Sequence, residues 1–309
     1  MTFENQSGGF MEFAEYQDKT RATDQRPDRE LADIAVHLLG LGGEAGSVLA
    51  QYKKHLRDKG SHLTWKLKMR EEMGDVLWYL ATLANKLDLD LNEVAEANLE
   101  KTRSRWLRSP IDQLDASMKP EERLPRRGTY EFEPGRNEHG RPTVRVRFDG
   151  QQCGDVLTDS SGTEDGYRFH DVFHLAFAVH LGWSPVTRAL LKRKRKSNLD
   201  IDEAEDGGRA IVIEEGVSAL VFAYATDHNY LDEIEHLDQQ LLDMIKLLVA
   251  RTEAGVRSAA DWEAAILDGY EVFRQLVEHD GGSVEFDSAT QSLTYTQPRT
   301  LTEGAFDAR

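Results

Sequence analysis

The chain has 309 residues, with 39% hydrophobic and 30% charged residues and a net charge of −17. That length suits two domains, that balance permits packed cores, and the acidity argues against a general nucleic-acid binder, which needs a basic surface. The one cysteine, Cys153, cannot close an internal disulfide and fits a reducing, cytoplasmic setting. The polar start, residues 1–10, lacks a signal-peptide core, and no stretch approaches ~18 apolar residues, so no membrane span is expected.

In chain order, residues 10–20 read as a short helix with Phe10, Phe13 and Tyr16 on one side. Apolar residues then recur at helical spacing from Leu31 to His55. Gly40, Gly42, Gly43 and Gly46 interrupt that run, and since glycine costs roughly 1 kcal/mol against alanine in a helix, close packing or a close ligand must account for them. Thr64 is placed to cap a helix running to about Leu87. Asp90 with Glu93 resembles a capping box for a further helix ending near Arg108, ahead of Pro110.

The texture changes at Pro110. Pro110 is the first of five prolines up to Tyr167, among many charges, with period-two alternation at Thr129–Phe132 and Thr143–Phe148, so this segment reads as a linker carrying a small hairpin. Helical spacing returns at Phe169–Leu181, breaks at Gly182–Pro185 and passes through a basic run, Lys192–Lys196. That run is expected as a solvated loop or as a mobile arm able to close over a polyphosphate. Three helices follow, over about Arg209–Thr226, Leu231–Thr252 and Ala259–His279, the last opened by Ser258 with Asp261. Ser283–Phe286 and Ser292–Thr296 read as a terminal hairpin, and the tail beyond Pro298 is expected to be mobile. The chain is thus expected to be mainly α, divided as 1–110, a linker at 111–167, and a C-terminal helical domain at 168–298.

The candidate chemistry lies in acidic residues at helical spacing. Glu72 and Asp75 share a helix face, and Glu44 lies one helix earlier with Ser47 three residues on. If the two helices pack antiparallel, these side chains converge into an oxygen-rich site suited to Mg²⁺ or Mn²⁺. Lys53, Asn98, Lys101 and Arg105 offer contacts to phosphates, and Trp78 a face on which a base could stack. Each element alone has a plainer reading: a solvated acidic face, a core tryptophan, a charged stripe.

Three segments in register carry more weight: Leu41-Gly42-Gly43-Glu44-Ala45-Gly46-Ser47-Val48, then Arg70-Glu71-Glu72-Met73-Gly74-Asp75-Val76-Leu77-Trp78, then Asn98-Leu99-Glu100-Lys101-Thr102-Arg103-Ser104-Arg105. In order and spacing, over roughly residues 30–108, they resemble the MazG-like family of all-alpha nucleoside triphosphate pyrophosphohydrolases. The resemblance implies a helical bundle that assembles as a dimer or from tandem halves. It further implies Mg²⁺-dependent cleavage of a nucleoside triphosphate to monophosphate and pyrophosphate, in nucleotide-pool control or phage defence. On it, Glu44, Glu72 and Asp75 inherit metal binding, and Asn98, Lys101 and Arg105 inherit substrate contact. The family pairs a Glu-x-x-Glu with a Glu-x-x-Asp, whereas here the second acid of the first pair is Ser47. Glu71 projects about 100° away from Glu72 and is a doubtful substitute. A nucleotide-binding sensor without turnover is therefore the alternative to an enzyme.

The C-terminal half resembles the extension that some MazG-like proteins carry, and it holds a faint echo of the first half. Glu214-Glu215-x-x-Ser218 lines up with Glu71-Glu72-x-x-Asp75, and His170-Asp171-x-x-His174 with the Glu44 segment. A degenerate second copy would make an intramolecular pseudo-dimer. Asp171, His174 and Glu215 then stand for a residual metal or nucleotide role, against a plainer reading in which Asp171 and His174 pair to steady helix packing. A third reading, an HD-type phosphohydrolase, would need His139 and Asp206 beside His170-Asp171.

Overall fold

The computed structural model describes residues 11–110 and 113–298, so Phe10 and the tail beyond Pro298 lie outside the described residues. It divides into two compact units, Met1–Thr102 and Arg103–Arg309. The boundary falls inside a helix, earlier than the proline-rich segment suggests.

The first unit is all helical: α1 (Phe13–Thr20), α2 (Leu31–Asp58), α3 (Trp65–Lys86) and α4 (Leu91–Trp106), whose last turn from Arg103 belongs to the second unit. Helix α2 stops where Lys59 takes a positive φ of 46°. A short 3-10 turn, Lys59–Ser61, leads into α3. Contacts between Tyr52 and Trp65, Gln51 and Glu72, and Gly40 and Tyr79 run in opposite chain directions, so α2 and α3 are antiparallel. The glycine cluster divides accordingly. A Cβ on Gly40 would lie 2.3 Å from the Tyr79 ring, so this glycine permits the close helix approach, while Gly42, Gly43 and Gly46 face open space.

Helix α1 is held to α3 and α4 by a buried amide clamp. Gln17 Nε2 donates to Asn85 Oδ1 (3.2 Å) and to the Leu89 carbonyl (2.8 Å), and its Oε1 accepts from the Leu91 N–H at 2.8 Å. The buried apolar cluster here is small, Ala81, Ala84 and Leu91 with Tyr16 against it, while Leu39 and Leu49 on α2 are 77% and 73% exposed.

The second unit has a large core. Helix α5 (Asp171–Leu181) is buried along its whole length. Phe173 stacks on Tyr270 of α10 (Ala259–Glu278) with ring centroids 4.5 Å apart. A Cβ on Gly269 would meet the Ala176 methyl at 3.0 Å, so α5 and α10 pack closely. The hairpin expected in the linker and the terminal hairpin are one antiparallel sheet in the order β3-β2-β1-β4-β5. Its strands are β1 (Arg127–Arg136), β2 (Pro142–Phe148), β3 (Gln151–Gln152), β4 (Gly282–Asp287) and β5 (Ser292–Thr296). Thr129 pairs with Glu285 and Phe132 with Gly282, and the inward face (Tyr130, Phe132, Val144, Val146, Val284, Phe286) joins the core that α5 enters. Residues 127–152 are therefore part of this domain, and no free linker.

Between these lie α6 (Pro185–Leu190), α7 (Leu199–Ala204), α8 (Gly208–Asp227) and α9 (Gln239–Val249). Helix α9 starts later than periodicity suggests. Asn229, Tyr230, Leu231 and Glu233 have positive φ, which no helix tolerates, and Asp238 then caps the Gln240 N–H at 2.7 Å. The Ser258–Asp261 capping box forms as expected.

The basic run is not a mobile arm. Arg195 is fully buried, its guanidinium held by Asp206 at 2.7 Å and by Glu253 at 2.7 Å, and Arg193 donates to the Arg123 carbonyl at 3.0 Å. Arg188 and Asp115 form a second buried ion pair, 2.7 Å apart. No helix among the described residues is long and apolar enough to cross a membrane.

Candidate active site

The α2–α3 hairpin brings Glu44, Glu72 and Asp75 together, each offering an oxygen within 4.8 Å of the others. Three carboxylates so close repel one another unless a cation lies among them, and an all-oxygen donor set suits a hard divalent ion. Glu44 and Glu72 are half-buried and Asp75 is exposed, so the cluster opens to solvent on the Asp75 side. Ser47 is half-buried on α2, three residues after Glu44, and adds no charge. Glu71 points elsewhere, to a 2.6 Å pair with Lys68 whose ammonium it stabilises.

One residue of this site had no place in the motif. Gln51 Nε2 donates to Glu72 Oε1 at 2.9 Å and so fixes the orientation of that carboxylate. Its signal was available, since Glu44, Ser47 and Gln51 stand at i, i+3 and i+7 on one stripe of α2. Tyr16 of α1 also reaches the neighbourhood. Burial and then the Asp75 charge push its phenol above the ordinary range.

The other expected contacts are placed differently. Trp78 is already engaged: its indole N–H donates to Thr23 Oγ1 at 2.8 Å, and one face of its ring stacks on His37 with centroids 5.9 Å apart. His37 is itself held by the Asp33 carbonyl (2.8 Å) and Asp24 (3.2 Å), and Asp24 by Lys86 at 3.1 Å. Burial would raise the Asp24 pKa, but the Arg26 N–H and Lys86 more than offset it and hold the carboxyl low. Lys53, Asn98 and Lys101 are exposed, and no hydrogen bond or ion pair among the described residues ties their side chains to the cluster. Arg105 belongs to the second unit, where it donates to Glu263 Oε2 (2.9 Å) and the Leu237 carbonyl (3.1 Å).

Comparison with known proteins agrees with the two-unit division. The MazG nucleotide pyrophosphohydrolase domain matches residues 12–107, and the MazG C-terminal domain matches residues 109–299. The chain belongs to the MazG family. Gene 37 protein of Mycobacterium phage L5 is 46% identical over 75 residues, 24% of this chain and 66% of the phage protein. This MazG chain thus spans just under two thirds of that relative's length. No solved structure matches it. The three carboxylates lie inside the segment matched by the MazG nucleotide pyrophosphohydrolase domain.

In the MazG C-terminal domain the echo segments face one another as α5 and α8, but as part of a mixed domain with its own sheet. His174 pairs with Glu214 at 2.9 Å and not with Asp171, which corrects the expected steadying pair. Burial would push the His174 imidazolium down, but Glu214 and Glu215 reverse this and lift its pKa to about 10. Asp171 is buried at the start of α5, 3.6 Å from His170 Nε2. With it, burial pushes the nearby Cys153 thiol up to about 11, so this cysteine stays a thiol. His139 is exposed on the β1–β2 turn and Asp206 is committed to Arg195, so the HD-type arrangement does not form.

Proposed function

We propose that the N-terminal unit is a nucleotide pyrophosphohydrolase that cleaves a nucleoside triphosphate, or a related nucleotide, to a monophosphate and pyrophosphate. The observation that carries this reading is the convergence of Glu44, Glu72 and Asp75 inside the matched MazG segment. Their donor set fits Mg²⁺ or Mn²⁺, and a divalent ion there supplies charge that offsets phosphate negativity. Glu44 and Glu72, half-buried, would hold such an ion from two helices, and the Gln51 hydrogen bond would fix the orientation of the Glu72 carboxylate for it. Gly42, Gly43 and Gly46, with nothing within 4 Å of a Cβ, leave room beside Glu44 for a bulky anion to approach the helix backbone. Exposed Lys53, Asn98 and Lys101 are candidates to close on phosphates once nucleotide is bound.

The working unit is a homodimer. The first unit buries few apolar side chains and leaves Leu39, Leu49 and Tyr52 of α2 exposed, a face that a second copy of this chain would cover. The setting is the cytoplasm, in nucleotide-pool control or phage defence.

The test is a panel of ribo- and deoxynucleoside triphosphates incubated with Mg²⁺ or Mn²⁺, with monophosphate and pyrophosphate measured. Turnover by the wild type and its loss in Glu72→Gln is the expected result. Turnover that survives Glu72→Gln would refute the site assignment. Ser47 favours a second reading, a nucleotide sensor on the same scaffold, because it leaves three charges where the family pattern has four. Nucleotide binding without pyrophosphate release from any substrate would establish that reading instead.

A further inference from the structure

The C-terminal domain contains a second set of convergent ligand atoms, far from carboxylate-only chemistry. His170, at the N-terminal edge of α5, and His174, one turn on, meet Glu215 of α8, each with one ligand atom within 4.8 Å of the others. We propose that His170 Nε2, His174 Nε2 and a Glu215 carboxylate oxygen form a binding site for a divalent transition-metal ion of the zinc class.

Each imidazole is held through Nδ1, so Nε2 is the atom presented to a metal, which on His174 must displace the proton that the Glu214 and Glu215 charges favour. His170 Nδ1 lies 2.9 Å from the Tyr167 carbonyl, which only accepts, so the proton sits on Nδ1 and the Nε2 lone pair is left for a metal. His174 Nδ1 lies 2.9 Å from Glu214 Oε1, and Glu214 also accepts from the Ser184 hydroxyl (2.6 Å) and the Val186 N–H (2.8 Å). A fully buried carboxylate with these donors orients His174 as outer partners orient metal-ligating histidines.

The second observation is the state of His174 Nε2. Its side chain is 1% exposed, and Nε2 is buried without any hydrogen-bond partner. Its nearest acceptor, Glu215 Oε2, is 3.6 Å away, beyond hydrogen-bond reach. An unsatisfied buried nitrogen costs free energy that a ligand would recover. A tetrahedral centre with bonds of ~2.0–2.1 Å wants its ligand atoms about 3.3 Å apart, close to the His174–Glu215 separation. Two imidazoles and one carboxylate select a borderline ion over Mg²⁺. Tyr167 stacks flat on His170 at 4.4 Å and fixes that ring, and Glu215, with a side chain 43% exposed, gives the ion a route from solvent. The other charged neighbour is Asp171, 3.6 Å from His170 Nε2. Three protein ligands leave a coordination position open.

The experiment is Co²⁺ titration of the full chain, stripped with chelator and kept in excess Mg²⁺ to fill the carboxylate site. Ligand-field absorption of low-coordinate Co²⁺ and displacement by Zn²⁺ are the readouts. The wild type and Glu72→Gln should bind one equivalent with the same spectrum. His170→Ala and Glu215→Gln should weaken binding by more than the ~10–100-fold that loss of an outer partner costs. Both positions border solvent, and matching thermal melts without metal would establish that each variant folds. Absence of the Co²⁺ spectrum in the wild type, which would leave His174 a charged clamp between Glu214 and Glu215, overturns the proposal. So does a spectrum unchanged in both variants, or one abolished by Glu72→Gln alone. The pyrophosphohydrolase reading stands or falls separately, on the nucleotide panel.

Discussion

Gln51→Leu removes the hydrogen bond that the α2 stripe makes to Glu72, a carboxylate of the proposed metal site, without altering the carboxylates themselves. The bond is 2.9 Å from an amide N–H to Glu72 Oε1, and both side chains are half-buried. A hydrogen bond to a charged group nets ~1.5–3 kcal/mol, and partial exposure places this one at the low end. Loss of ~1.4 kcal/mol of orientation is about tenfold in the dissociation constant for Mn²⁺, which matches the lower bound for outer partners of metal ligands. The assay is Mn²⁺ titration of the full chain, with the pyrophosphate-release rate followed across the same metal concentrations. If Gln51 is a positioning residue, the rate lost at low Mn²⁺ returns at high Mn²⁺, whereas Glu72→Gln is not rescued. A Mn²⁺ affinity within about twofold of wild type, with Glu72→Gln losing binding, would show that Gln51 is a bystander.

Four further outcomes follow from the same geometry. Gly40→Ala should destabilise by about 1 kcal/mol, because its Cβ would lie 2.3 Å from the Tyr79 ring, while Gly43→Ala, in open space, should gain up to ~1 kcal/mol of helix propensity in thermal melts. Asp115→Asn leaves Arg188, 1% exposed, with only the longer 3.6 Å contact to Asp206 as a buried ion pair and should cost ~3 kcal/mol, a drop on the order of 10 °C in melting of the C-terminal domain. Burial would raise the Asp115 pKa, but Arg126, the Leu124 N–H and Arg188 hold it below the ordinary value, so its contribution is present at neutral pH and is lost as pH falls below the usual carboxylate range. Acid titration of the melting temperature should therefore be shallower in Asp115→Asn than in the wild type. Leu49→Glu, at a site 73% exposed, should convert a dimer to monomer in light scattering with the helical signal kept.

The site was legible where it depended on spacing within single helices, and illegible where it depended on which partner a side chain finds. Glu44, Glu72 and Asp75 converge because 3.6-residue periodicity fixes a face and a short connection makes α2 and α3 antiparallel. Gln51 lies on the same face, yet an amide carries no charge signature, so only the 2.9 Å contact reveals its part. Trp78, Arg105 and Arg195 show the opposite failure. Each has the chemistry of a ligand contact, and each is engaged by a partner distant in sequence: Thr23, Glu263 and Glu253. The hairpins within residues 127–152 and 282–296 form as expected, but their union was illegible for the same reason, since alternation reports a strand and not the neighbour across 150 residues of chain that makes one sheet of them.

The C-terminal histidines carry this argument one step further. Spacing alone paired Asp171 with His174, because residues three apart share a helix face. The fold instead gives His174 to Glu214, buried on α8, and leaves its second nitrogen facing His170 and Glu215. A hydrogen-bonded pair within one helix would have satisfied both groups and needed nothing more. A histidine held at one nitrogen by a buried carboxylate and without a hydrogen-bond partner at the other is an unfinished coordination sphere, and it arises only because two helices remote in sequence bring their polar residues to one point where the buried face of α5 meets solvent.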